Sequence, residues 1–87
     1  MKKLIFNYYT DSGHGWFAVK RTLLSEHGVL QAISHYSYQR GNTVYLEEDC
    51  DCSVLFKALD TKGIEWGFIE KYTDGRHPIR SYESFKA

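Results

Sequence analysis

Proline is almost missing from this chain, a single residue at position 78 of 87, so nothing of that kind interrupts strands or helices before the C-terminal end. Cysteine is scarce as well. The only two, Cys50 and Cys52, are separated by one residue, a ring too small for an unstrained disulfide. Charge of one sign is missing: eleven Lys and Arg balance eleven Asp and Glu, which removes the long-range field of a general nucleic-acid binder or an acidic nucleic-acid mimic. No apolar run approaches the roughly 20 residues needed to cross a bilayer. The opening MKKLIFNYYT has only LIF before Asn7 and no small-residue cleavage site after it, so a cytoplasmic location with free thiols is expected.

What the chain has instead is aromatic side chains, with seven Tyr, five Phe and two Trp in a composition that is 43% hydrophobic. That supply suffices for one thin core, and residues 1–87 are read as a single domain. KLIFNYYT (3–10) and WFAVKR (16–21) read as two strands joined by the turn cluster DSGHG. Thr22 is placed to cap a short helix, LLSEH, that ends at Gly28, and VLQAIS reads as a further helical turn or a packed connector.

HYSYQRGNTVYLEE reads as a second hairpin. A two-residue GN loop would put Ser37 and Gln39 beside Val44 and Leu46. A three-residue RGN loop groups Tyr36, Tyr38, Val44 and Leu46 on one face, and that register is expected. After Asp51 the apolar spacing becomes helical, with Val54, Leu55, Ala58 and Leu59 in one stripe and Gly63 as its stop. IEWGFIEKY follows as a strand. TDGRHP is a loop, and Ile79, Tyr82 and Phe85 tack the terminal segment onto the domain. The order strand, strand, helix, strand, strand, helix, strand predicts an α+β fold, a mainly antiparallel sheet with helices on one face.

Four segments, HGW at 14–16, YSYQ at 36–39 with a glycine at 41, YLEEDCD at 45–51 and IRSY at 79–82, together resemble a family of small uncharacterised proteins of proteobacteria, their phages and other mobile elements. The likeness covers about residues 10–85, and Cys52 lies outside its pattern. It implies a cytoplasmic, phage-linked accessory protein and carries no catalytic residue or cofactor.

LEEDCDCSVLF (46–56) is the densest cluster of reactive side chains. Its acids and thiols could bind a metal with His14, His27, His35 or His77 completing the shell. But two thiolates one residue apart on an extended chain point in opposite directions, which disfavours zinc, and the four acids oppose a reactive thiolate. The economical reading gives Asp49 or Asp51 the cap of the following helix and buries Cys50 as a small hydrophobe. GHG and DGRHP lack phosphate-loop spacing. No cofactor, metal or catalytic residue is assigned. The expected function is non-enzymatic protein binding, with a homodimer seam as one form of it and no membrane partner. The contact residues expected are Glu47, Glu48, Asp49 and Asp51 of the acidic knob, Tyr45 of the ring-bearing sheet face, and Arg76 and Arg80 of the basic C-terminal segment. The alternative is a nucleic-acid-binding accessory factor that stacks bases on the sheet rings beside those arginines.

Overall fold

A computed structural model describes residues 3–87. The β-branched and aromatic stretches form β1 (Leu4–Thr10) and β2 (Gly15–Lys20), paired antiparallel with Thr10 opposite Gly15. Asp11 shapes the loop between them, its Oδ1 accepting the N–H groups of Gly13 at 2.9 Å and His14 at 3.0 Å. Gly15 is required for a steric reason: a Cβ there would lie 2.7 Å from ring atoms of Tyr8.

Helix α1 (Arg21–Glu26) follows β2 directly and has no side-chain cap. Thr22 therefore does not cap it and lies inside its first turn. The Arg21 N–H is met by the Asn42 carbonyl at 2.8 Å, so the neighbouring hairpin does the work expected of a cap. Gly28, at φ +69°, ends the segment as foreseen. A 3-10 turn over Leu30–Ala32 then leads to β3 (Tyr38–Arg40) and β4 (Thr43–Glu47).

The β3–β4 register corrects the expectation. Arg40 faces Thr43, so the loop is the two residues Gly41 and Asn42, with Gly41 at φ +59°. Tyr36 is 61% exposed rather than grouped with Val44 and Leu46, and fully buried Ser37 takes the core side. The polar penalty that argued against this register is cancelled locally. Ser37 Oγ donates to Asp51 Oδ2 and accepts the Glu47 N–H at 3.0 Å.

Helix α2 (Cys52–Thr61) buries Leu55, Phe56 and Leu59, while Val54 and Ala58 of the expected stripe are only half-buried. Asp51 immediately precedes the helix, yet its carboxylate makes no cap bond, and Asp49 makes none either. Asp51 turns to Ser34 and Ser37 instead. Cys50, expected inside, is exposed in the turn between β4 and α2.

From β4, α2 carries the chain across the sheet to β5 (Trp66–Tyr72), which pairs parallel with β1. A 3-10 turn over Pro78–Ser81 and the short β6 (Glu83–Ser84) complete a six-stranded sheet in the order β5-β1-β2-β4-β3-β6. Its other pairings are antiparallel, so the α+β architecture with a mainly antiparallel sheet is the fold observed.

Strand alternation gives the sheet two different faces. One carries Phe6, Phe17, Val19, Val44 and Leu46, which pack with α1 and α2 in the main core; Phe56 stacks on Trp66 at 3.8 Å and meets Phe17 edge-on at 4.9 Å. Each such large side chain contributes roughly 1.5–3 kcal/mol by leaving water. The opposite face carries Tyr9, Trp16, Tyr38, Tyr45 and Glu47, and the C-terminal segment folds back against it. Ile79 is buried in this segment and Phe85 reaches the main core on the other face, so the segment is tacked down at both places.

Candidate functional site

The face opposite the helices is organised around Trp16. Cross-strand pairing places it between Tyr9 on β1 and Glu47 on β4, and it is 2% exposed. The guanidinium of Arg80 lies 5.6 Å from the indole ring, while Tyr38 meets that ring edge-on at 6.3 Å. Arg80 is itself held by Asp11, with Nε at 2.7 Å from Oδ2 and the second guanidinium contact at 2.8 Å from Oδ1. The His77 N–H also donates to Asp11, at 3.0 Å.

Asp11 is therefore the clasp that joins the first hairpin to the C-terminal segment. Arg80 beside it, more than the backbone donors, holds its carboxyl well below the usual carboxylate range, against the opposing effect of burial. The same contact raises the basicity of Arg80.

Between these groups lies a cleft of about 170 Å³ lined by His14, Trp16, Tyr36, Tyr38, Glu47 and Arg80. All four segments singled out in the sequence, HGW, YSYQ, YLEEDCD and IRSY, contribute to it. Glu47 is 8% exposed; its Oε2 accepts the Asp49 N–H at 3.2 Å. Its Oε1 finds no hydrogen-bond donor among the described residues, and the nearest basic atom is His14 Nδ1 at 3.7 Å. The indole N–H of Trp16 is likewise buried without an acceptor. Buried polar atoms are paired in nearly all native folds, so two unpaired ones lining one cleft mark it out.

The acidic stretch divides. Glu47 and Asp51 are buried, so only Glu48 and Asp49 face solvent as the expected knob. Cys50 is exposed, yet its thiol is pushed up by desolvation against its neighbours and by the negative charge of Glu47 and the adjacent aspartates. Cys52 is raised by burial and by Glu48, and its thiol donates to the Glu48 carbonyl. Tyr45 is half-buried between Tyr9 and Tyr82. Arg76 is exposed in the loop before the last turn, and Arg80 is engaged with Asp11. The seven expected contact residues therefore do not form one surface.

A second feature lies at the β5 edge. Strand β5 pairs with β1 and with no other strand among the described residues, leaving a seven-residue edge. Ile5, Phe68, Ile69 and Tyr72 around it are 53%, 49%, 55% and 60% exposed. Ile5 and Ile69 lie on one side of the sheet, Phe68 and Tyr72 on the other.

The sequence offered His14 only as one of four histidines that could complete a metal shell with the acidic stretch, and it did not single out Asp11. The DSG turn following β1 was a readable signal for Asp11, whereas its pairing with Arg80, 69 residues away, was not. The chain matches no family model, no curated protein and no solved structure.

Proposed function

We propose that this chain is a non-enzymatic protein-binding domain whose main contact surface is the β5 edge. The supporting observation is the open outer edge of β5, which pairs only with β1 among the described residues, with Ile5, Phe68, Ile69 and Tyr72 about half exposed or more around it. A sheet edge offers a row of main-chain donors and acceptors to an extended segment of another protein chain, and flanking apolar side chains add burial. Glu70 and Lys71 are the charged residues on the strand, so register with a partner is set by few charges. Exposed Glu48 and Asp49 form a separate acidic surface. In the cytoplasmic, phage-linked setting that the sequence resemblance implies, a host or defence-system protein is the partner to seek.

The base-stacking alternative has weaker support. The rings of Tyr9, Tyr45 and Tyr82 pack against one another, Trp16 is covered by Arg80, and Arg80 is neutralised by Asp11. No helix among the described residues is long and apolar enough to cross a membrane.

Capture from host extract with and without nuclease tests the proposal when parent, Phe68→Glu/Ile69→Lys and Asp49→Lys chains are run side by side. One stoichiometric protein that survives nuclease and is lost only from the β5 variant is expected. Recovery of nucleic acid alone, or equal protein recovery on the β5 variant, contradicts it.

A further inference from the structure

The geometry points to a divalent transition-metal site at the mouth of the Trp16 cleft, ligated by His14, Glu47 and Asp49. One ligand atom from each of these residues lies within 4.8 Å of the other two. Metal bonds of about 2.0–2.2 Å in tetrahedral geometry set ligand atoms about 3.3–3.6 Å apart, so side-chain rotations that move the ligand atoms by about 1 Å close the set. His14 and Asp49 are exposed and free to make them.

Glu47 carries the inference beyond proximity. It is a buried carboxylate with one oxygen committed to the Asp49 N–H and the other, Oε1, without a donor among the described residues. Burying a carboxylate that is only half compensated is unfavourable, and a cation bound at the free oxygen offsets that cost. The free oxygen faces His14 Nδ1 at 3.7 Å, and the Asp49 that fixes Glu47 through its own N–H offers the third ligand.

The loop fixes the His14 backbone at the cleft mouth. Asp11 accepts the His14 backbone N–H, and Gly15 lets the strand begin against Tyr8. Arg80, the cation nearest the cleft wall, is paired with Asp11 through two hydrogen bonds, which reduces its opposition to a second positive charge.

One imidazole nitrogen with two carboxylates selects a first-row transition ion such as zinc over calcium or magnesium, which favour oxygen alone. Three protein ligands leave a coordination position open for water or a further donor. The thiols take no part: Cys52 is turned to the Glu48 carbonyl, and neither cysteine belongs to the cluster. The site is independent of the β5 edge.

Calorimetric titration of zinc chloride into the untagged full chain tests the site, with Co²⁺ absorption as a second readout. One zinc per chain is expected, weakened about tenfold or more in His14→Ala, Asp49→Asn and Glu47→Gln and unchanged in Cys50→Ser/Cys52→Ser, with a Co²⁺ spectrum free of thiolate charge transfer. His14 and Asp49 are exposed, so their variants test the ligands even if Glu47→Gln perturbs the fold. Binding no tighter than about millimolar, or binding lost only in the cysteine variant, overturns the inference.

Discussion

Asp51 and Glu47 belong to the same acidic stretch, four positions apart, and both are buried, yet their surroundings differ in kind. On the helix side of the sheet Asp51 accepts the Ser34 N–H at 3.1 Å, the Ser34 hydroxyl at 2.8 Å and the Ser37 hydroxyl. On the other side Glu47 has one donor and one free oxygen. The two tryptophans repeat the contrast: Trp66 donates its indole N–H to Asp60 at 2.9 Å, and Trp16 finds no acceptor among the described residues. A saturated buried group holds a fold together. An unsaturated one, at the wall of a cleft, is available to something else.

The largest effect should come from breaking the saturated side. Asp51→Ala leaves two serine hydroxyls and a backbone N–H without their acceptor, and a loss of about 2–4 kcal/mol in urea unfolding is expected. A loss below about 0.5 kcal/mol would show that the Ser37–Asp51 network does not hold the second hairpin to α2.

Next comes the clasp between the first hairpin and the C-terminal segment. The folded-state affinity of Asp11 for protons is depressed, so its contribution is complete above the unfolded-state value of about 3.9 and is lost as pH falls further. Asp11→Asn should therefore lower the melting temperature at neutral pH and flatten its fall between about pH 4 and 2. A parallel fall in parent and variant would remove Asp11 from the account.

Gly15→Ala should destabilise by about 1–3 kcal/mol, because the added methyl meets the Tyr8 ring. Retained stability would mean that Tyr8 swings away freely. The smallest effect concerns Cys50, which is exposed but has its thiol pushed up. Alkylation at neutral pH should run several times slower than for a free cysteine and accelerate toward alkaline pH. A rate equal to the free amino acid would contradict that charge environment.

The strands flanking DSGHG and the apolar stripe of α2 were legible because strand alternation, turn residues and helical spacing are local. The register of the second hairpin was not. Ser37 looked misplaced beside Val44 and Leu46 until Asp51, 14 residues on, arrived to satisfy it. Capping failed for a related reason, since the aspartate at the start of α2 had a stronger partner across the fold. In the candidate site, Glu47 was readable as an important acid but not as a buried one. Burial follows from Trp16, Asp11 and Arg80 meeting over strands that only the sheet brings together. His14 stood as one of four interchangeable histidines, since its carboxylate neighbours lie 33 and 35 positions later.

Urea unfolding of parent, Asp51→Asn and Glu47→Gln chains, each with and without zinc, tests the contrast most directly. Asp51→Asn should be destabilised in both conditions and still be stabilised by zinc. Glu47→Gln should match the parent without zinc and show no response to it. A Glu47→Gln chain that loses as much stability as Asp51→Asn, or that zinc stabilises as it does the parent, would contradict the distinction between the two carboxylates.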